Sequence, residues 1–134
     1  MGAKAGHDLV VDASALVDLL CGTGLAAAVR DRLAGHRLLA PAHVDAEILS
    51  AFGRLQRAGR LAEADVAERL GLVAGSPLER HELPPLLAGA WDRRHNLRLV
   101  DALYAELAAQ REVPLVTTDA GMASAFPGAE LIGA

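Results

Sequence analysis

Residues 10–20 read VVDASALVDLL, and with Leu9 before them they open on a short run of purely apolar residues that Asp12 stops abruptly. A strand with no polar alternation is buried on both faces, which requires helices on both sides of the sheet and favours parallel pairing. The same design returns at 113–119, VPLVTTD, where Leu115 to Thr118 lead into Asp119. Two apolar strands, each closed by an aspartate, place two carboxylates at the carboxyl ends of a parallel sheet. In open α/β sheets ligands bind there, above all where the strand order reverses. The fold class that follows is α/β, with three layers, α/β/α, around a short, mainly parallel central sheet.

The remaining elements are read outward from these two strands. Ser14 is placed to cap the short helix after Asp12, and Thr23 to cap a helix that runs to about Leu33 and is closed by Gly35. Leu38 to Ala40 form the next strand, and Pro41 reads as the first-turn proline of a long helix reaching Ala58, where Gly59 stops it. A second helical period from Leu61 to Ala74 makes a helical hairpin with it. A weak strand is expected at 78–81, a helix from Pro84-Pro85 through Trp91, and another from Val100 to Arg111. After the strand at 113–117 come a short helix to about Phe126 and a last strand at Leu131-Ile132.

Composition narrows the function classes. The chain has 134 residues, enough for one domain, expected at 8–134, behind a flexible N-terminal tail at 1–7. Hydrophobic residues make up 52% of it, yet no apolar run approaches the roughly 18 residues that span a bilayer, and the start MGAKAGH lacks an apolar export signal. No membrane partner is therefore expected, and a cytoplasmic location is. Cys21 is the only cysteine, so neither an intrachain disulfide nor a multi-cysteine zinc site can form. Lys4 is the only lysine among 13 basic residues, which removes P-loop and phosphoacceptor chemistries that need a lysine beside phosphate. A net charge of −4 argues against a sequence-independent nucleic-acid coat, and an aromatic content of 3% against a multi-base stacking platform.

Two more acids interrupt apolar patterns. Glu47 stands inside the stripe Val44, Ile48, Ala51, Leu55 of the long helix, so it needs an arginine, a proton or a cation as partner. Asp101 follows Leu99-Val100 in the first turn of its helix. Taken singly, Asp119 and Asp101 read equally well as helix N-terminal groups, Asp12 as a turn residue and Glu47 as half of a buried arginine pair. Four acids from four elements are more economically explained by a shared hard cation, Mg²⁺ or Mn²⁺, held by oxygen ligands alone.

The set resembles the PIN domain family, and within it the VapC-type toxins of toxin–antitoxin pairs. VVDASALVDLL is similar to the family's opening strand with its Asp-x-Ser, Asp12 and Ser14. PAHVDAEILSAFGRLQRAG (41–59) is similar to the helix bearing the family's glutamate, Glu47. RLVDALYAELA (98–108) matches the third motif with Asp101, and VPLVTTDAGMASAF (113–126) the fourth with Thr117 and Asp119. The resemblance covers nearly the whole chain after the tail. It implies a PIN-like fold and a Mg²⁺- or Mn²⁺-dependent endoribonuclease that hydrolyses RNA by metal-activated water. It also implies a homodimer restrained by a cognate VapB-like antitoxin.

On that reading Asp12, Glu47, Asp101 and Asp119 are catalytic and metal-holding, and the Ser14 and Thr117 hydroxyls orient carboxylates or waters. Arg54, on the same helical face as Glu47, and Arg93, Arg94 and Arg98 are candidates for RNA phosphate contacts. Trp91 and Cys21 read as core, and His43 as a surface or capping residue. The competing class is a noncatalytic PIN-like module that binds RNA or protein. Four like charges should strain the metal-free fold, so Asp119→Asn is expected to stabilise the apo protein.

Overall fold

The computed structural model describes residues 7–133, so the expected tail lies, His7 apart, outside the described residues. Strand β1 (Asp8–Val11) leads into helices α1 (Ala13–Cys21) and α2 (Ala26–Leu33). Strand β2 (Arg37–Pro41) is followed by α3 (Val44–Arg57) and α4 (Glu63–Ala74), then by β3 (Glu79–His81). A 3₁₀ turn at Pro84–Leu86, α5 (Leu87–Asp92) and α6 (Leu99–Arg111) return the chain to β4 (Leu115–Thr117), and α7 (Ala120–Ala125) connects to β5 (Ala129–Leu131).

The sheet order is β3-β2-β1-β4-β5, and every described pairing is parallel. The chain builds outward from β1 to β2 and β3, then crosses back to start the other half with β4. The order therefore reverses between β1 and β4, whose register Val11↔Val116 brings the residues after each strand together. With right-handed crossovers, α1 to α4 cover one face and α5 to α7 the other. Leu9, Val10 and Val11 and their neighbours Leu39, Ala40, Leu115 and Val116 are buried, as strands covered on both faces must be. The middle of helix α6 is buried, with Ala102, Leu103, Tyr104, Ala105, Leu107 and Ala108 all in the core and both ends exposed.

Three local expectations are corrected, one of them at Thr23, which does not cap α2: that helix begins at Ala26 after Leu25 and has no side-chain cap. Pro41 ends β2 instead of opening α3, which begins at Val44. A residue without an N–H is tolerated at a strand end, because the ladder there no longer needs its donor. Ser14 does not cap α1; Asp12 does, accepting from the Ala15 amide, while the Ser14 hydroxyl donates to Asp12. Helix α1 then stops at Gly22, whose left-handed φ of 65° lets its amide reach back to the Asp18 and Leu19 carbonyls.

Candidate active site

Asp12 leaves β1 with an extended backbone, and its side chain turns over the first turn of α1. One carboxylate oxygen accepts from Ser14 Oγ at 2.7 Å and from the Ala15 amide at 3.1 Å; the other accepts from Thr117 Oγ1. The Thr117 hydroxyl in turn accepts from the Asp119 amide at 2.9 Å, and Ser14 Oγ accepts from the Thr118 amide at 3.2 Å. These bonds join the end of β1 to the end of β4 and fix both junctions. Both hydroxyls thus donate to the Asp12 carboxylate. Asp12 is only 4% exposed, and burial pushes its carboxyl up to about 6 despite the three donors, with a smaller push from Asp119.

Asp119 caps α7 by accepting from the Gly121 amide at 2.8 Å. Asp101, in the first turn of α6, accepts from Arg98 Nε at 3.0 Å. Glu47 is half-buried on α3 and accepts from the Tyr104 hydroxyl at 2.7 Å. Its hydrogen-bond partner is not an arginine but a phenol 57 residues away in sequence. His43, expected at the surface or as a cap, is instead mostly buried. It makes no capping bond, its Nε2 meets the Val100 carbonyl at 2.8 Å, and its ring packs 4.8 Å from that of Tyr104.

All four predicted acids line one cleft of about 350 Å³, together with Ser14, Arg54 and Arg98. Two lining residues escaped the sequence reading. Asp18 stands four residues after Ser14 on the same face of α1, a spacing that could have flagged it, and accepts from Thr23 Oγ1 at 2.9 Å. Tyr104 stands three residues after Asp101 on α6, so the same kind of spacing applied to it, but its ring belongs to the core and only the hydroxyl meets the cleft.

The four candidate arginines divide. Arg54 and Arg98 line the cleft. Arg93 is drawn to Glu106 at 3.2 Å and lies over the Phe126 ring, and Arg94 lies 4.5 Å over the Trp91 ring, so neither reaches the carboxylates. Trp91 itself is 55% exposed, contrary to the expectation of a core residue. Cys21 is half-buried against the core edge, near its expected place.

The donor set of the cleft is oxygen only, with five carboxylates against two guanidinium groups, which suits a hard cation. Among the described residues no three acidic, histidine or cysteine side chains are already drawn together around a point. The reason is visible in the bonds above: Asp101 is turned onto Arg98 and Asp119 onto its helix. Asp12 and Asp119 both cap a helix, but Asp12 is the acid that burial penalises, so the expected amide test extends from Asp119 to Asp12.

Comparison with known proteins identifies the family. The profile of the PIN domain family matches residues 9–125, a span that contains all four acids. The chain is 55% identical over 128 residues to Ribonuclease VapC3 of Mycobacterium tuberculosis, covering 95% of this chain and 93% of that protein. Its structure is similar to the crystal structure of PAE2754 from Pyrobaculum aerophilum, with a TM-score of 0.68, 28% identity, and coverage of 94% of this chain and 85% of that one. In fold it is also similar to VapC20 of Mycobacterium tuberculosis, a sarcin-ricin loop cleaving toxin, with a TM-score of 0.66 at 16% identity, covering 87% of this chain and 94% of that one. With the family profile spanning both strand-end aspartates and a close relative matched along nearly its full length, the chain belongs to the PIN domain family, in its VapC-type toxin branch.

Proposed function

We propose that the protein is the toxin ribonuclease of a toxin–antitoxin pair, a Mg²⁺- or Mn²⁺-dependent endoribonuclease. The observation that carries this reading is the convergence of Asp12, Glu47, Asp101 and Asp119, from four separate elements, on one cleft at the reversal of strand order. Relatives named as ribonucleases support the RNA-cleaving part.

Asp12, Asp101 and Asp119, with Glu47 directly or through water, would hold the cation, which when bound supplies a water of lowered pKa and offsets charge on the scissile phosphate. Ser14 and Thr117 keep Asp12 in one rotamer, so its oxygens need not reorganise during the reaction. Arg54, bonded to Ser50, and Arg98, paired with Asp101, line the cleft and are suited to the phosphates flanking the cut, whereas Arg93 and Arg94 are held outside it. Hydrolysis by water, without a covalent enzyme intermediate, leaves 5′-phosphate and 3′-hydroxyl ends.

A second copy of the chain and a VapB-like antitoxin complete the reading. Exposed Leu49, Leu87, Trp91, Leu99 and Val100 provide apolar surface for such contacts. Among the described residues no single helix is long and apolar enough to cross a membrane.

The test is cleavage of an RNA panel that includes tRNA and ribosomal RNA, by protein freed of any partner, with the product ends mapped. Cutting that needs Mg²⁺ or Mn²⁺, stops with chelator and leaves 5′-phosphates supports the reading. Cutting in chelator, or 2′,3′-cyclic phosphate ends, contradicts it. Metal binding with no cutting across the panel favours the noncatalytic module.

A further inference from the structure

Each carboxylate of the cleft has an anchor suited to its reach. Asp12 is fixed by two hydroxyls and an amide, Asp119 by a helix amide, and Asp101 by a neighbouring guanidinium. Glu47 has one more rotatable bond than the aspartates and stands on an exposed edge of α3, so unrestrained it loses the most rotamer freedom on entering a ligand set. Its anchor comes from the opposite side of the sheet edge. The Tyr104 ring is immobilised in the core at 1% exposure, against the ring of His43, which is itself pinned to the Val100 carbonyl. The phenol donates to Glu47 Oε1, and His43 Nε2 stands 3.6 Å from that same oxygen. Both neighbours therefore address Oε1 and leave Oε2 as the oxygen for a ligand.

We propose that Tyr104 is a positioning residue, whose hydroxyl grips Glu47 Oε1 from the core so that Oε2 is held toward the cleft. The phenol suits this task because it offers a single O–H donor on a ring that the core already holds, 2.7 Å from Glu47 Oε1. A lysine or arginine in the same place would bring a competing cation into the ligand set, and a serine on α6 would be too short to cross. The role deepens the cation reading above without depending on catalysis for its test.

The test uses the fact that Tyr104 is the only tyrosine in the chain, so its ζ-carbon NMR resonance and its Raman ring doublet are assigned without editing. Two arms are run on the full-length protein. In metal-free protein the tyrosine signature should be that of a strong donor, and Glu47→Ala should abolish it while the melting temperature shows the fold retained. In the second arm Mn²⁺ alone is titrated calorimetrically into wild type, Tyr104→Phe, Glu47→Ala and the double variant. Tyr104→Phe should weaken Mn²⁺ roughly tenfold, and in the Glu47→Ala background it should add almost nothing, since the two act through one carboxylate. An unchanged tyrosine signature in Glu47→Ala overturns the proposal, and so does wild-type Mn²⁺ affinity in folded Tyr104→Phe. Absence of Mn²⁺ binding by wild type overturns the cation reading instead, and the first arm then decides on its own whether Tyr104 holds Glu47.

Discussion

Helix α1 borders two concavities of similar size and opposite chemistry. On one side Ser14, Val17 and Asp18 face the acidic cleft of about 350 Å³; on the other Leu16, Leu19 and Leu20 line a recess of about 290 Å³ whose other walls include Ile48, Leu72, Val73 and Leu78. Both sets repeat at three- and four-residue spacing, so one nine-residue helix serves two environments. Helix α3 repeats the division, with Glu47, Ala51 and Arg54 toward the cleft and Ile48 toward the recess. The recess walls take apolar surface out of water and stabilise the fold. The cleft does the reverse, burying a carboxylate against its preference and crowding others beside it. Function therefore falls on the side of α1 that costs stability.

The largest effect should separate the two sides by activity. Asp12→Asn or Asp119→Asn should lower RNA cleavage by about a thousandfold or more, through lost charge in the ligand set. Leu16→Ala, on the same helix but facing the recess, should leave cleavage per folded molecule within about threefold. Initial rates normalised to the folded fraction check both, and comparable losses at Leu16 and Asp12 would erase the distinction.

Stability should rank the sides the other way. Ile48 is fully buried, and Ile48→Ala should lose about 2–5 kcal/mol, read from urea midpoints at constant slope.

Proton linkage sharpens the cleft side. Asp12 has an ordinary value of 3.8 and is raised to about 6 in the folded protein, so between those limits the folded state holds more protons than the unfolded one. Stability from this group therefore falls as pH rises from about 4 to about 6, and the full penalty, of order 2–3 kcal/mol, persists above that window. Urea midpoints of metal-free wild type minus those of Asp12→Asn, followed from pH 4.5 to 7.5 (roughly the window in which a carboxyl so raised titrates), should show that slope. A flat difference would remove the burial argument.

The smallest effect is expected at the recess mouth. Leu72 is 59% exposed, and Leu72→Ser should change stability by no more than about 0.5 kcal/mol and cleavage not at all.

The sequence reading reached one side of this comparison better than the other. Asp12 and Asp119 were legible because each ends an apolar strand, and a parallel sheet brings such ends together. Glu47 was legible because it breaks a helical stripe. Its phenolic partner was not, since α3 and α6 cover opposite faces of the sheet and a bond between one side chain from each leaves no local pattern in either. The same limit explains Arg93 and Trp91: basic and aromatic residue types were visible, but whether Glu106 captures the arginine, or whether the indole sits outside the core, depends on packing. Pro41 misled because a proline is equally at home at a strand end and in a first helical turn.

The central claim is that the cleft carries its acids for a cation at a cost to the metal-free fold. Melting temperatures of wild type and Asp12→Asn at pH 7.5, roughly a unit and a half above the raised Asp12 value, with chelator and with several millimolar Mg²⁺, on the order of what a weak site needs, test it most directly. The account predicts an inversion. In chelator Asp12→Asn melts higher, because the buried charge is gone, and in Mg²⁺ wild type melts higher, because only it gains fully by binding. A variant that melts below wild type in both conditions, by the same margin, would show that the cap and hydrogen bonds of Asp12 outweigh its buried charge, and would contradict the claim.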